Sequence, residues 1–220
     1  LTSLAAEADA AGVSVAEFER LLPLGARPDR AEDLAWEVVR RLGARLVVVT
    51  GPYDGTLADA AERFAAVCDR AAAVGDVVVG LEFLPFTNVP DIGTAAELVR
   101  AAGRPNGGIC LDVWHLYRGG QTPADIDPAV WPLVVRLQLS DGPLVPEDDD
   151  LLADCVTNRR PCGDGEFDLV GLLALAGTHG AGAGLSLEVF SARLHQRSPD
   201  EVTHLLAGGL REVMEASRWR

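Results

Sequence analysis

Short apolar runs that alternate with amphipathic segments constrain the fold of this chain more than any other feature of its sequence. The runs occupy residues 45–50, 77–83, 107–113, 134–140 and 184–190. Most are continuously apolar and rich in β-branched residues, which is typical of parallel strands buried on both faces. Most successive runs begin about 30 residues apart, the length of a βαβ unit. The sequence therefore predicts an α/β fold with a parallel sheet.

The segments between the runs have the apolar spacing of amphipathic helices. The clearest predicted helices are residues 56–75, 91–103 and 168–180. Gly75, Gly103 and Gly180 stand where a glycine commonly ends a helix. The first 44 residues are mostly helical in pattern, in segments 1–12 and 30–43, and "VSVAEF" at residues 13–18 is a candidate sixth strand.

Two architectures share this alternation, an open doubly wound sheet and a closed (β/α)₈ TIM barrel. An open sheet gathers its ligands at one topological switch point, whereas a barrel places functional residues at the carboxyl ends of many strands. Four of the five clear runs carry an oxygen-bearing side chain near that end: Glu82, Asp112, Gln138 and Glu188. This distribution favours the barrel.

The number of strands departs from a complete barrel. Such barrels have eight strands and typically about 250 residues, whereas this chain has 220 residues and five clear runs. We therefore predict a single domain over residues 1–220, a TIM barrel incomplete or irregular at its N-terminal side. Either N-terminal strands are missing from the chain, or the barrel is irregular there.

The stretch "GGICLDVWHLYRGG", residues 107–120, ends a buried strand in a carboxylate, Asp112, with His115 three residues later. A buried carboxylate is costly unless a cation compensates it. Two glutamates, an aspartate and a glutamine oxygen form a ligand set that suits hard divalent ions. We predict one such ion at Glu82, Asp112, Gln138 and Glu188. Mn²⁺, Mg²⁺ and Co²⁺ are the expected ions, with Zn²⁺ as an alternative.

Charge and cysteine content exclude several classes of partner. With 33 acidic and 19 basic residues the formal net charge is −14, so no general attraction to nucleic acid or anionic membranes is expected. No apolar run approaches the roughly 20 residues that span a bilayer, and no signal-peptide pattern opens the chain. None of the four cysteines has C-x-x-C spacing, and Cys68 and Cys110 fall at core positions. A cytoplasmic location is expected, and a homo-oligomer is compatible with the sequence.

Five motifs, in order along residues 45–190, resemble the xylose-isomerase-like superfamily of sugar phosphate isomerases and epimerases. They are "LEFLP" (81–85), "LDVWHLYRGG" (111–120), "LQLSDG" (137–142), "RRPCGDGEFD" (159–168) and "LSLEVF" (185–190). The superfamily also holds inosose and 3-dehydroshikimate dehydratases. The resemblance implies that the four strand-end residues bind one divalent metal. The third ligand is often histidine in the epimerases, so Gln138 looks more like the dehydratase branch.

The resemblance also assigns roles beyond the metal ligands. It implies that His115 contacts the substrate or transfers a proton, which suits the imidazole pKa. "RRPCGDG" looks like the family's R-x-x-P-G-x-G loop, which makes Arg159 the substrate-binding arginine and puts Cys162 in place of the usual proline. Trp114 either walls the pocket or packs in the core. Asp141 is expected to orient Gln138 or to accept an outer hydrogen bond.

The expected function is a divalent-metal-dependent isomerase or epimerase that acts on a keto-sugar or related polyol through an enediolate. Glu82, Glu188 or His115 would move the proton. One alternative is a metal-dependent dehydratase, a lyase, of an inosose or a 3-dehydroshikimate-like substrate. A catalytically inactive barrel that binds a small ligand is an alternative of another class. The superfamily's endonuclease IV-type DNA repair enzymes need many histidine ligands and a basic surface, which four histidines and a charge of −14 do not provide.

Overall fold

The computed structural model describes residues 2–23 and 30–219. Its six parallel strands are β1 Glu17–Pro23, β2 Leu46–Thr50, β3 Val78–Glu82, β4 Gly107–Asp112, β5 Val134–Leu139 and β6 Gly184–Leu187. The helices are α1 Thr2–Ala10, α2 Arg30–Leu42, α3 Leu57–Val74, α4 Ile92–Ala102, α5 Val113–Arg118, α6 Leu151–Thr157, α7 Leu169–Thr178 and α8 Pro199–Ser217. Short 3₁₀ helices occupy Pro123–Asp125, Trp131–Leu133 and Leu194–Gln196.

The strands lie in the sheet in their sequence order, from β1 to β6. A doubly wound sheet reverses its strand order at a switch point, so this order is that of a barrel wall. The sheet is also curled, because Arg136 of β5 forms an ion pair with Glu17 of β1 although the two strands are not neighbours. Within the described ranges β1 and β6 do not pair, so the chain forms a six-stranded half-barrel. The predicted incomplete TIM barrel is confirmed.

The sheet has an outer face, which packs against the helices, and an inner face, which lines the interior of the curl. Outward side chains such as Val47, Leu81 and Leu111 join the main hydrophobic core beneath the helices. Inward side chains form a separate small cluster of Leu46, Val48 and Cys110, with Val78 and Val135 packed against it. Alternation along each strand therefore points the residue that follows an outward leucine, such as Glu82 or Asp112, into the interior.

The three clear predicted helices are confirmed as α3, α4 and α7. Thr56 and Asp59 form a capping box at the start of α3, and Asp91 caps α4 by accepting a hydrogen bond from the Thr94 amide. Gly103 follows α4 in the left-handed conformation, which glycine adopts without steric cost. These caps fix where α3 and α4 begin and where α4 ends.

One strand lies further along the chain than the sequence pattern predicts. The candidate strand at residues 13–18 is replaced by β1, Glu17–Pro23, whose register pairs Glu17 with Leu46 and Glu19 with Val48. Glu17 meets Arg136 inside the sheet. Glu17 and Glu19 of this strand therefore face polar partners across the curled sheet, so its sequence lacks the apolar run of a buried strand. Helix α8 is likewise absent from the sequence-based prediction.

Among the described helices, none combines the length and the apolar character required to span a membrane. All four cysteines are free and buried, as expected for Cys68 and Cys110. The assignment of the chain to a single domain stays a prediction.

Gly108 allows close packing between β4 and β5. A Cβ atom at this position would lie 2.3 Å from Val135 Cγ1 and 2.7 Å from the Leu133 carbonyl oxygen. We therefore expect Gly108→Ala to lower the free energy of unfolding by about 1–3 kcal/mol through overpacking. Gly208→Ala is the matched control, because nothing lies within 4 Å of a Cβ there and alanine favours the helix that contains it. Urea denaturation of both variants measures the difference.

Candidate metal centre and active site

The carboxyl ends of four adjacent strands, β3 to β6, carry the polar side chains of the site. Glu82 ends β3, Asp112 ends β4, and the strand register pairs Asp112 with Gln138 of β5. Glu188 comes directly after β6. Asp112 is also the N-cap of α5, and its Oδ1 accepts a hydrogen bond from the Trp114 amide at 2.7 Å. This cap turns the chain at once into a helix and fixes the carboxylate at the edge of the sheet.

Glu82, Asp112 and His115 form a compact buried group. Each offers one ligand atom, and the three atoms lie within 4.8 Å of one another. His115 Nε2 is 3.4 Å from Glu82 Oε1 and 3.7 Å from Asp112 Oδ2. The spacing of three residues puts His115 in the first turn of α5, on the same side as its N-cap. The structure thus places the imidazole beside two of the predicted ligands.

Arg159 joins this group to Glu188. Its Nη1 is 2.6 Å from Asp112 Oδ2 and 2.9 Å from Glu188 Oε2, and it also donates to the Glu188 carbonyl oxygen. Its Nη2 is 3.4 Å from His115 Nε2. The guanidinium is held from behind, where Nε donates to the Cys155 carbonyl oxygen and Nη2 contacts the Cys155 sulfur. Arg159 therefore orders two of the predicted ligands at once.

The pKa values of the coupled carboxyl groups are pushed in opposite directions. Burial, and then repulsion from Asp112, raise the pKa of Glu188. For Asp112, burial alone would raise the pKa, but the charge of Arg159 and then that of His115 lower it. Burial would also lower the pKa of Arg159, yet the two carboxylates raise it above its ordinary value. Burial and mutual repulsion therefore make it costly to ionise both carboxyl groups without a further cation.

These residues fit a divalent cation. The carboxylates of Glu82, Asp112 and Glu188 carry three negative charges when ionised, and Arg159 supplies one positive charge. A divalent ion would balance the two that remain, and its binding would release any proton that a ligand carries. The Nδ1 atom of His115 is buried and finds no hydrogen-bond partner within the described residues. The ligand roles of Glu82, Asp112, Gln138 and Glu188 stay predictions.

Gln138 lies beside this group, with its amide fixed by contacts that the sequence did not suggest. Its Oε1 is 3.1 Å from the Cys110 sulfur, and its Nε2 donates to the Glu19 carboxylate of β1. The side chain is almost fully buried. Burial, and then repulsion from Glu82 and Glu17, raise the pKa of Glu19 to about 7, although part of this residue faces solvent. Glu19 is thus a fourth carboxylate near the site.

Trp114 lies in the core, with no exposed surface. It packs against Phe167, and two guanidinium groups lie near its ring, that of Arg118 at 4.2 Å and that of Arg159 at 5.6 Å from the ring centroid. A substrate could touch the indole only if these neighbours moved. The structure therefore accommodates the core alternative for Trp114, while its predicted contact with substrate stays a prediction.

A buried ion pair lies beside Trp114. Arg118 Nε is 2.7 Å from Asp154 Oδ2, and both side chains are at most 1% exposed. Arg118 also donates to the Pro143 carbonyl oxygen, so it ties α5 to the loop after β5. Burial would raise the pKa of Asp154, but hydrogen bonds from Asn158 and Arg118 lower it. The stabilisation by this ionised carboxylate is present above its unfolded pKa and is lost as the pH falls through the folded pKa.

Asp154→Ala should lower the free energy of unfolding by about 3–5 kcal/mol, because it leaves the Arg118 charge buried and unpaired. Asp69→Ala is a control of the same chemistry, since Asp69 pairs with Arg104 in an exposed ion pair. We expect the control to lose much less stability, because an ion pair in contact with solvent contributes little to folding. Guanidinium denaturation at neutral pH compares the two. Equal losses would contradict the assignment of a buried, structurally essential pair.

Within the described residues Asp141 makes no hydrogen bond to Gln138 and instead holds the following loop, which leaves the second of its two expected roles, the outer hydrogen bond. Its carboxylate accepts hydrogen bonds from the backbone amides of Gly142, Gly163 and Phe167 at 2.8–3.0 Å. Its own backbone pairs with Arg160. Asp141 thus anchors the "RRPCGDG" loop. Arg159 is the first residue of this loop, and its side chain reaches into the site.

Two aromatic residues near the site were missed by the sequence analysis. The Phe86 ring meets the His115 ring edge-on at 6.0 Å, and the Phe190 ring lies 5.4 Å from the Arg159 guanidinium. Both residues are exposed. They follow the strand-end residues Glu82 and Glu188 by four and two positions, and that spacing was the available signal. Each ring thus borders one member of the polar group.

Comparison with known proteins identifies the family. Residues 2–213 match the family model described as xylose isomerase-like TIM barrel. The chain belongs to this family. The resemblance carried by the five sequence motifs is thereby confirmed.

Two relatives of this chain are enzymes. The inosose isomerase of Halalkalibacterium halodurans is 31% identical over 127 residues, which cover 57% of this chain and 44% of the relative. The 3-dehydroshikimate dehydratase of Pseudomonas aeruginosa is 32% identical over 175 residues, which cover 76% of this chain and 27% of the relative. The chain thus spans less than half the length of either enzyme.

A solved structure confirms the fold. The structure of the IOLI protein with a bound zinc atom superposes with a TM-score of 0.78 at 19% identity and covers 99% of this chain and 83% of that one. At this level of identity the likeness concerns the architecture alone.

Proposed function

We propose that this chain carries a divalent-metal active site that removes a proton next to the carbonyl group of a small polyhydroxylated ketone, and that loss of a β-hydroxyl as water follows. The observation that carries the proposal is the buried group of Glu82, Asp112 and His115, joined through Arg159 to Glu188. Carboxylates concentrated in this way suit a hard cation. The net charge of −14 supports a small substrate rather than nucleic acid.

Glu82, Asp112, Gln138 and Glu188 would hold the ion, with His115 beside them. When bound, the ion supplies Lewis-acid polarisation of the substrate carbonyl and so acidifies the adjacent C–H bond. Mn²⁺, Mg²⁺ and Co²⁺ suit the oxygen-rich set. Zn²⁺ belongs in the same tests, because His115 Nε2 adds a nitrogen donor and the IOLI structure holds zinc.

The proton is moved by residues of the chain itself. His115 Nε2 lies between Glu82 and Asp112 and can exchange a proton with either carboxylate or with a bound substrate. In dehydration, the C–H proton passes to a base, a C=C bond forms, and the β-hydroxyl leaves with a second proton as water, without net oxidation or reduction. Phe86 and Phe190 would limit the access of bulk water.

Dehydration is preferred to isomerisation on two grounds. The relative that covers more of this chain is a dehydratase, and Gln138 stands where the resemblance associates glutamine with the dehydratase branch. Isomerisation or epimerisation, the first expectation from the sequence, is retained as the second candidate because the other relative is an inosose isomerase. Both reactions begin with the same proton abstraction.

A substrate screen in D₂O separates the candidates. The metal-loaded protein is incubated with 3-dehydroshikimate, inososes and keto-sugars, and the reactions are followed by ultraviolet absorbance and by NMR. A dehydratase produces a new conjugated-enone or aromatic absorbance, whereas an isomerase introduces deuterium into a recovered or isomerised polyol. A protein that binds metal but changes none of these compounds would support the inactive ligand-binding barrel and contradict the proposal.

A further inference from the structure

We propose that Glu19 is a positioning residue, which orients the Gln138 amide so that its oxygen, and not its nitrogen, is available to a cation at the site. The inference rests on the proposed metal site. It concerns a residue of the edge strand β1 that lies outside the four strand-end positions.

The contact between Glu19 and Gln138 crosses the interior of the curled sheet. The two residues are 119 positions apart, on strands β1 and β5, which are not neighbours in the sheet. Gln138 Nε2 donates a hydrogen bond to Glu19 Oε1. Gln138 is paired in register with Asp112, so the amide lies level with a predicted ligand. Glu19 therefore reaches the site from the opposite wall.

Glu19 can distinguish the two ends of the amide. The oxygen and nitrogen of a glutamine amide have nearly the same size, so packing alone does not choose between the two orientations. An ionised carboxylate accepts hydrogen bonds but donates none, so the ionised form of Glu19 binds the nitrogen end only. A cation binds the oxygen end only. The carboxylate of Glu19 thus selects the orientation that leaves the oxygen free of that contact.

The other polar contact of the amide does not make this choice. Cys110 Sγ lies 3.1 Å from Gln138 Oε1, and a thiol is both a weak donor and a weak acceptor. It would tolerate either end of the amide. Among the described contacts of Gln138, the one to Glu19 therefore determines which end of the amide faces the site. This is the role that outer carboxylates commonly perform for metal ligands.

A second contact between the same strands provides the matched control. Arg136 Nε of β5 lies 2.7 Å from Glu17 Oε2 of β1, and both side chains are mostly buried. Like the Glu19 contact, it joins β1 to β5 across the interior, but it involves no predicted ligand. If Glu19 served only to hold the two strands together, Glu17→Gln and Glu19→Gln would have similar consequences.

The test is calorimetric titration of Mn²⁺ into the wild-type protein, Glu19→Gln and Glu17→Gln, with thermal unfolding of each metal-free protein. Glutamine keeps the size of glutamate but can present either a donor or an acceptor, so selection of the amide orientation is lost. We expect Glu19→Gln to weaken Mn²⁺ binding by about 10–100-fold, as the loss of an outer-shell partner does. Glu17→Gln should keep wild-type affinity. In the background of Gln138→Ala, Glu19→Gln should have little further effect.

Three outcomes would overturn the inference. Wild-type affinity in Glu19→Gln would show that the contact is merely structural. Loss of binding as complete as in Asp112→Asn would make Glu19 a ligand itself. A wild-type protein that binds no divalent ion would overturn both this inference and the proposed function. If the metal affinities follow the expectation but no ketone is turned over, the positioning role stands and the proposed reaction alone fails.

Discussion

Asp112→Asn should abolish tight divalent-metal binding, and turnover with it, while the fold survives. Asp112 is fully buried, contacts Arg159 and lies within ligand distance of Glu82 and His115. Asparagine keeps the shape of the side chain and can still cap α5, but it removes the negative charge of a predicted ligand. The loss of affinity should exceed the roughly 10–100-fold that removal of an outer partner causes. Calorimetry with Mn²⁺ and a circular dichroism spectrum measure binding and fold.

Asp91→Asn is the matched control for this substitution. Asp91 caps α4, in the connection that follows β3, by accepting a hydrogen bond from the Thr94 amide. Because asparagine is an equally good N-cap, this variant should keep both stability and metal affinity. Wild-type metal affinity in Asp112→Asn would remove Asp112 from the ligand set, whereas equal losses in the two variants would indicate a general effect of lost acidic charge.

His115→Gln should lower turnover by about 10²–10⁴-fold, the contribution typical of a general acid or base. The four predicted oxygen ligands are intact in this variant, so the metal should remain bound. His204→Gln, on the exposed face of α8, is the control and should behave as wild type. Turnover of the best substrate from the screen and metal content are measured on each variant.

The position of His115 makes the metal content of His115→Gln informative. Its Nε2 is close enough to both Glu82 and Asp112 to share an ion with them. Loss of metal as complete as in Asp112→Asn would place His115 in the coordination shell rather than on the substrate. A wild-type turnover rate would instead leave proton transfer to a glutamate.

Much of the fold follows from local sequence patterns. Parallel strands buried on both faces need continuous apolar runs, and the runs that end near Glu82 and Asp112 are therefore visible without a structure. Strand β1 was misplaced because Glu17 and Glu19 meet polar partners in the interior. Helix α8 was missed because Val213 is its one buried residue among those described, so its sequence shows only a weak apolar face.

The site was predictable where it depends on topology and not where it depends on contacts between distant residues. Parallel strands bring their carboxyl ends to one edge, which is why Glu82 and Asp112 could be paired in advance. The link from Arg159 to Glu188 and Asp112 spans 29 and 47 positions, and no local pattern shows it. The resemblance supplied Arg159 as a substrate-binding residue, whereas the structure shows it in contact with predicted metal ligands.

The central claim is that the strand-end carboxylates hold a divalent ion. The most direct test is elemental analysis of the purified wild-type protein and of Glu82→Ala and Glu188→Ala after dialysis against Mn²⁺. Glu82 belongs to the buried group with Asp112 and His115, and Glu188 joins it through Arg159. We expect one ion per wild-type chain and a loss of stoichiometric metal in both folded variants. Retention of stoichiometric metal by both variants would contradict the site.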